Sequence, residues 1–206
     1  MNLNGSRPEP DTRNRIFFTA AKLFAQEGFD RVSIRQICES VGVGKPTLYY
    51  YFKDKETLLN ELITHSFMVG QELIQTYVLN KSDYLEQVFG IIKARQEYVK
   101  QYPHFIRFFL MLNIYSLPDG IREQMKSRAA GLFRQLIDFL EAGKQKMIID
   151  PATDSELLAV TMIGTLNQLI FRHLYLSEKN LMSDENMEKL FQFWKQHLFL
   201  QPKSGA

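Results

Sequence analysis

Apolar residues recur along most of the chain at the three- and four-residue spacing of an amphipathic helix. In the first such stretch, residues 12–27, Ile16, Ala20 and Phe24 lie on one face, and Gly28 provides a natural stop. No alternation of apolar and polar residues is long enough to predict a strand. The pattern therefore predicts an all-α fold.

The same spacing, interrupted at proline, glycine and polar turn residues, predicts nine helices. The predicted segments are 12–27, 33–41, 45–52, 55–78, 83–102, 103–115, 120–147, 154–176 and 184–200. Ser33 can cap the second helix, with Gln36 completing a capping box. Gly42 and Gly44 predict a tight turn before the third helix, so residues 33–52 read as two short helices joined by a turn.

This pair of short helices favours a helix-turn-helix. Leu48 and Phe52 occupy the inward face of the third helix, so its other large or polar side chains cannot all be buried. These are Lys45, Thr47, Tyr49, Tyr50 and Tyr51. Phenols beside an ammonium suit phosphate oxygens, thymine methyl groups and base edges. The alternative is that the tyrosines pack beneath a later helix.

Composition and charge indicate the cellular compartment but do not decide the function. The 206 residues have a net charge of +2, with nine basic and six acidic residues in 1–55 and a balance of −1 in the remainder. A single cysteine, Cys38, excludes an intramolecular disulfide and is expected to be a buried small hydrophobe. The polar start and the short apolar runs predict a cytoplasmic protein with no signal peptide and no membrane span, which needs about 20 residues.

The sequence does not match the residue spacing of known catalytic or metal-binding motifs. Residues 42–45 resemble part of a phosphate loop, but Glu39 and Pro46 stand where that motif needs glycine and Ser or Thr. No Gly-x-Ser-x-Gly elbow is present, and the histidines are at least 24 residues apart. They are His65, His104, His173 and His197. We therefore expect no enzyme activity, no cofactor and no metal site.

Residues 12–59 resemble, without a gap, the DNA-binding domain of the tetracycline-repressor (TetR) family. The resemblance rests on Ala-Ala-Lys-Leu-Phe-Ala-Gln-Glu-Gly-Phe-Asp (20–30), Val-Ser-Ile-Arg-Gln-Ile (32–37) and Val-Gly-Val-Gly-Lys-Pro-Thr-Leu-Tyr-Tyr-Tyr-Phe-Lys-Asp-Lys-Glu-Thr-Leu-Leu (41–59). It implies a homodimer that binds double-stranded DNA, with the third helix in the major groove and an all-helical ligand-binding domain behind it.

Carried over by position, the resemblance implies most DNA contacts at the third helix. Lys45, Pro46 and Thr47 match positions that commonly meet base edges, a thymine methyl and a phosphate, respectively. Tyr49 matches a tyrosine that contacts phosphate. The following positions, which touch the DNA backbone or thymine methyls, are Tyr50 and Tyr51.

Other implied contacts lie outside the third helix. Arg35 matches a position that contacts a base or phosphate, and Lys55 matches a lysine that anchors a phosphate. Ser33 and Thr12 stand at helix starts that approach the DNA backbone. Gly44 departs from the family pattern, which often has a hydroxyl or acidic side chain there, and this removes one possible base contact.

The expected division is a disordered arm at 1–10, a DNA-binding domain at 11–56, a ligand-binding and dimerisation domain at 57–200, and a disordered tail at 201–206. The resemblance implies an effector pocket among the middle helices, and its aromatic lining favours an apolar or aromatic small molecule. The candidates are Phe67, Tyr98, Tyr102, Phe109, Asn113, Phe133, Met162, Leu166 and Phe171. Asn113 would supply an orienting hydrogen bond.

The last two predicted helices are apolar on more than one face, which requires two partners. The resemblance implies that they pair with their copies in a four-helix dimer bundle. The candidate interface residues are Gly164, Gln168, Met187, Leu190, Phe191, Trp194 and Leu198. The alternative is an ordinary monomeric core.

The expected function is a ligand-responsive repressor that binds a palindromic operator as a homodimer and is released by its effector. An activator or nucleoid-associated factor of the same fold is the nearest alternative. A small-molecule-processing enzyme and a protein-interaction module without DNA function are alternatives from other classes. Turnover of a bound ligand would favour the enzyme, and failure to bind any DNA would favour the interaction module.

Overall fold

A computed structural model describes residues 10–112, 117–176 and 178–200. The described part is all-α, as the sequence predicts, and contains nine α-helices. They are α1 (Pro10–Glu27), α2 (Ile34–Val41), α3 (Lys45–Tyr51), α4 (Lys55–Ile74), α5 (Tyr84–Gln101), α6 (Pro103–Leu112), α7 (Asp119–Gln145), α8 (Ser155–Tyr175) and α9 (Asp184–His197). A π-helical segment, Gln75–Leu79, follows α4, and a 3₁₀ helix, Lys179–Met182, precedes α9.

The chain forms two compact units. The first comprises Met1–Met68 and His104–Ile121, and the second comprises Val69–Pro103 and Arg122–Ala206. The first unit therefore includes most of α4 and the whole of α6 beyond Pro103, whereas the sequence places the end of the DNA-binding domain at residue 56. Aromatic packing joins α6 to α1, since the ring centroids of Phe105 and Phe17 lie 6.0 Å apart.

The core of the first unit is built from one face each of α1, α2 and α3. Ile16, Phe24, Ile37, Leu48 and Phe52 are all fully buried, so the apolar spacing read from the sequence is the packed face. Cys38 is buried among them, as predicted, and burial raises the pKa of its thiol. Burying the apolar faces of α1, α2 and α3 together stabilises α2 and α3, which are too short to be stable alone.

The second unit is organised around α5. The side chain of Gln96 is fully buried and donates from Nε2 to the Met182 carbonyl (2.8 Å) and to Asp184 (2.9 Å), which joins α5 to the start of α9. At the other end of α5, the rings of Tyr84 and Phe139 stack with centroids 4.5 Å apart. The Tyr84 hydroxyl also donates to the Phe139 carbonyl at 3.1 Å, which joins α5 to α7.

Several expectations differ from the structure or lie outside the described residues. The predicted helix at 55–78 is α-helical only to Ile74, and its last turn widens into the π-helical segment. The predicted arm and tail lie outside the described residues, except that Pro10 already begins α1. The predicted end of the sixth helix, beyond Leu112, also lies outside them.

One described helix, α8, is long and apolar enough to cross a membrane by length and composition. The sequence predicts no span because its longest purely apolar stretches are only a few residues long. One side of α8 is buried within the second unit through Leu158, Met162, Leu166 and Ile170. The opposite side is exposed in this single chain.

Candidate nucleic-acid interface

The turn between α2 and α3 is fixed by glycine and by backbone hydrogen bonds. Gly42 has a left-handed conformation (φ 77°), which favours glycine, and its N–H donates to the Cys38 carbonyl at 2.9 Å. Gly44 precedes α3 in an extended conformation, and Pro46 lies in the first turn, where its missing N–H costs nothing. This turn sets the direction of α3, while Leu48 and Phe52 hold its inner face in the core.

The outward face of α3 is polar and aromatic. Tyr49 and Tyr50 are 51% and 63% exposed, and Lys45 and Pro46 are also exposed. Thr47 is half-buried. These residues form one surface of phenol, ammonium and pyrrolidine groups, which is chemically able to donate to phosphate oxygens and contact thymine methyls.

Tyr51 differs from the two tyrosines before it. Its residue is half-buried, its ring meets that of Tyr50 edge-on at 5.0 Å, and burial raises the pKa of its hydroxyl. The alternative is that the tyrosines pack beneath a later helix, and the exposed rings of Tyr49 and Tyr50 do not. Tyr51 supports the exposed ring of Tyr50 from one side.

The predicted contacts on α1 and α2 lie at the starts of these helices. Ser33 caps α2, with its Oγ accepting from the Gln36 N–H at 3.1 Å. The Gln36 side chain donates instead to Glu27 at 2.7 Å, so the capping box is only half formed. Thr12 is half-buried in the first turn of α1.

Arg35 is exposed on α2 and already has a partner. Its Nε donates to Glu39 at 2.6 Å, one helical turn later, and this hydrogen bond raises the pKa of Arg35. Because both side chains are exposed, the pair is weak and can exchange for a phosphate at little cost.

Lys55 has a role that the sequence did not indicate. Its Nζ donates to the carbonyls of Phe29 (2.8 Å) and Val32 (3.0 Å) and lies 4.2 Å from the centre of the Phe29 ring. Burial lowers the pKa of this ammonium. Lys55 therefore fastens the α1–α2 loop to the start of α4.

The predicted effector pocket is distributed over both units. Phe67 belongs to the first unit and is half-buried, whereas Tyr98, Met162 and Leu166 are buried in the second. Tyr102 and Phe133 are half-buried in the second unit. Asn113 and the side chain of Phe109 lie outside the described part of the chain.

Phe171 does not fit the predicted pocket. It is 41% exposed and stacks on Tyr175 at 5.1 Å, on the opposite side of α8 from Met162 and Leu166. Phe171 lies two helical turns after the exposed Gly164, and residues at this spacing share one side of a helix.

A different cleft opens in the first unit between α1 and α4. It has a volume of about 310 Å³ and is lined in part by Arg13, Phe18, His65 and Met68. It contains none of the predicted pocket residues.

The predicted dimer interface divides into inward and outward residues. Met187 and Trp194 are buried within the second unit, so their side chains are not available to another copy. Leu190, Phe191 and Leu198 are half-buried, and Phe191 lies 4.9 Å from Phe89 of α5. The stripe that runs through Met187 and Trp194 is thus largely core, because it faces α5.

The exposed part of the predicted interface lies on α8. Gly164 and Gln168 are exposed, in line with Leu157, Val160 and Phe171. Phe193 on α9 is also exposed, at 54%. Leu157, Val160 and Phe193 were not predicted as interface residues. Phe193 lies off the main apolar stripe of α9, so its position already indicated a second packing partner for this helix.

Comparison with known proteins matches the region of the chain that contains α2 and α3. The sequence model described as "Bacterial regulatory proteins, tetR family" matches residues 16–62, which begin in α1 and end in α4. A HTH-type transcriptional regulator of Staphylococcus aureus (strain USA300) is 33% identical over 127 residues, covering 57% of this chain and 69% of its own. The chain belongs to the tetR family of bacterial regulatory proteins. The uncharacterized HTH-type regulator YdgC of Bacillus subtilis is 24% identical over 77% of this tetR-family chain and 79% of its own.

Solved structures share the fold of this tetR-family regulator. The ketosteroid transcriptional regulator KstR2 of Mycobacterium tuberculosis has a TM-score of 0.79 at 17% identity, covering 97% of this chain and 100% of its own. The fatty acid degradation regulator FadR from Bacillus halodurans has a TM-score of 0.73 at 17% identity, covering 93% and 98%. The relatives are thus transcriptional regulators with a DNA-binding helix-turn-helix, and the expectation of a TetR fold is confirmed.

Proposed function

We propose that this tetR-family regulator is a ligand-responsive transcriptional repressor that acts in the cytoplasm. It binds a palindromic operator as a homodimer and leaves it when a small effector binds. The observation that supports this most strongly is the outward face of α3, where Lys45, Pro46, Tyr49 and Tyr50 are exposed together. An exposed cation beside two exposed phenols is well suited to contacts in the major groove.

The proposed DNA contacts extend from this face. Lys45, Tyr49 and Tyr50 meet bases and backbone, while Arg35 exchanges Glu39 for a phosphate. Thr12, Ser33, Pro46, Thr47, Tyr51 and Lys55 complete the surface. Only Arg35, Lys45 and Lys55 among them are cationic, which is consistent with the modest net charge of +2 on the chain.

Dimerisation is proposed through the exposed side of α8 together with Phe193 of α9. A stripe of large apolar residues on the surface of one chain is unfavourable in water and is covered in most proteins by a partner. Gly164 at its centre allows two helices to approach closely. A two-fold dimer would set two α3 helices on successive major grooves, about 34–36 Å apart or somewhat more.

Release by an effector requires that its binding alters the DNA-binding unit. Helix α4 supports this, since it begins at Lys55 in the first unit and continues to Ile74 in the second. A coupling free energy of about 1–3 kcal/mol corresponds to a 5- to 150-fold loss of operator affinity. The names of the neighbours, a ketosteroid regulator and a fatty acid degradation regulator, support an effector with a large apolar body.

Binding to labelled DNA from upstream of the gene tests the proposal. We expect the full chain to bind this DNA more tightly than scrambled DNA, and a Lys45→Ala/Tyr49→Ala variant to lose about 1–3 kcal/mol for each contact to a base. Lys126→Ala, an exposed cation on α7, is the matched control and should bind as the unmodified chain does. Equal binding by the folded double variant would contradict the assignment of α3.

A further inference from the structure

The cleft between α1 and α4 lies wholly within the first unit and is lined by none of the residues predicted for the effector pocket. Both helices contribute residues at positions i, i+1, i+4 and i+5, so one side of each helix forms a wall. The volume of about 310 Å³ lies at the lower end of the range of about 300–1,000 Å³ that is usual for small-molecule sites. The cleft is therefore large enough for a small ring system.

Two contacts define how the helices line the cleft. Arg13 of α1 pairs with Glu61 of α4. Four residues later on each helix, the rings of Phe17 and His65 meet edge-on with their centroids 5.4 Å apart. The two helices therefore run in the same direction along the cleft, and residues of the same kind face each other. As a result, the cleft has a polar end and an aromatic end.

The polar end is formed by two charged side chains that neutralise each other and by two neutral amides. The Arg13 guanidinium pairs with the Glu61 carboxylate and lies over the ring of Phe52, 5.0 Å from its centroid. The exposed residues Asn14 and Asn60 line the cleft as well, and each amide has N–H donors and an acceptor oxygen. A further charge would lack a partner at this end, whereas a neutral hydrogen-bonding group would find one.

The aromatic end consists of ring and thioether surface that is partly open to water. Phe18 and Met68 line it and are 48% and 52% exposed. The buried ring of Phe105 in α6 supports both walls, since its centroid lies 5.9 Å from that of Phe18 and 5.4 Å from that of His65. An aromatic ring bound here would cover the exposed apolar surface and make ring–ring and sulfur–ring contacts.

We propose that this cleft binds a small, uncharged aromatic molecule that has an amide group at one end. The ring lies between Phe18 and Met68, and the amide exchanges hydrogen bonds with Asn14 and Asn60. An amide is the matching group because it supplies both a donor and an acceptor to the two side-chain amides. The site does not depend on the proposed function, because its occupancy is measured without DNA.

Four indole derivatives of similar size test the requirement for an uncharged amide. They are indole-3-acetamide, indole-3-acetate, tryptamine and 3-methylindole, each titrated calorimetrically into the full chain. We expect indole-3-acetamide to bind about tenfold or more tightly than each of the others. The acid and the amine would bring an unpaired charge into the cleft, and 3-methylindole would lack the hydrogen bonds. No binding of the amide, or binding no tighter than that of any other derivative, would overturn the proposal.

Substitutions in the two ends of the cleft test the assigned contacts. Asn60→Leu keeps a side chain of similar size on the exposed side of α4 and should remove most of the preference for indole-3-acetamide over 3-methylindole. Gln124→Leu replaces an exposed amide on α7 and is the matched control, which should preserve that preference. Phe18→Ala should weaken the binding of both compounds. Unchanged binding of the amide in either folded cleft variant would overturn the proposal.

Methionine methyl groups report which part of the chain holds the ligand. Met68 lines the cleft, whereas Met162 is fully buried in the second unit. In nuclear magnetic resonance spectra of the methyl-labelled chain, indole-3-acetamide should shift the Met68 signal and leave that of Met162 unchanged. Met68→Leu and Met162→Leu assign the two signals. A shift of Met162 alone would place the ligand in the second unit and overturn the proposal. A Met68 signal that shifts on dilution without ligand would instead show that a second copy of the chain occupies the cleft, and would also overturn it.

Discussion

The ammonium of Lys55 is used inside the first unit, although the resemblance alone assigns it to a phosphate. Sequence similarity identifies the residue but cannot reveal that the carbonyls of Phe29 and Val32 end within 3.0 Å of Nζ. Those carbonyls have no helical partner after α1 ends, so a nearby donor stabilises them.

Asp184 is the residue whose charge state should affect stability most clearly. Hydrogen bonds from Lys93 and Gln96, and the charges of Lys93 and Lys100, lower the pKa of Asp184 from 3.8 to about 2. A carboxyl group whose folded pKa is depressed stabilises the fold above its unfolded pKa, and this stabilisation is lost as the pH falls from about 4 towards 2. The α5–α9 junction should therefore loosen in acid.

We expect Asp184→Asn to lower the free energy of unfolding at pH 7 and to reduce its dependence on pH between 5 and 2. Urea denaturation at a series of pH values measures both effects. Asp138→Asn removes an exposed carboxylate from α7 and serves as the control. An unchanged pH dependence in Asp184→Asn would show that the contacts with Lys93 and Gln96 do not hold this carboxylate.

The junction of α4 and α5 depends on one glycine. A Cβ atom placed on Gly90 would lie 1.9 Å from the carbonyl oxygen of Tyr77, in the π-helical segment. We expect Gly90→Ala to destabilise the chain by about 1–3 kcal/mol, since backbone must move to admit the methyl group. Chemical denaturation measures this loss.

Gly131 provides the matched comparison within a helix. A Cβ atom on Gly131 in α7 meets no atom within 4 Å, so Gly131→Ala should instead stabilise the chain by about 0.5–1 kcal/mol through helix propensity. If Gly90→Ala were as stable as Gly131→Ala, the close approach of α5 to the π-helical segment would be wrong.

Most helices could be predicted from the spacing of apolar residues and from capping residues. Local changes of helix type and the choice of the buried face could not be predicted. Ser33, Asp83 and Asp154 cap the helices that they were expected to begin. The change from α-helix to π-helix after Ile74 leaves the apolar pattern almost unaltered. The sequence of residues 75–79 therefore does not indicate this change. Which stripe of α9 faces inward was also undetermined, because both Trp194 and Phe193 are large and apolar and only packing against α5 selects one.

Exposed apolar residues on α8 and α9 lead to a prediction about assembly. Leu157 is 65% exposed and Phe193 54% exposed, and both lie on the face proposed for the dimer. We expect the full chain to be a dimer in sedimentation equilibrium and Leu157→Glu/Phe193→Glu to be a monomer, since a dimer would bury these charges unpaired. The monomer should also bind the operator more weakly, through one α3 instead of two.

Leu132→Glu is the control for that experiment, because Leu132 is an exposed apolar residue of α7 outside the proposed face. It should remain a dimer. A monomeric unmodified chain, or a dimer that survives both α8 and α9 substitutions, would contradict the proposed interface. Partition of the unmodified chain into vesicles would instead assign the apolar face of α8 to a membrane.

A hydroxyl-radical footprint on DNA from upstream of the gene tests the central claim most directly. The account predicts two protected segments related by a palindrome, centred about one helical turn or slightly more apart, and lost together in the Lys45→Ala/Tyr49→Ala variant. Uniform protection, a single protected segment, or a footprint unchanged in that variant would contradict an operator read by paired α3 helices.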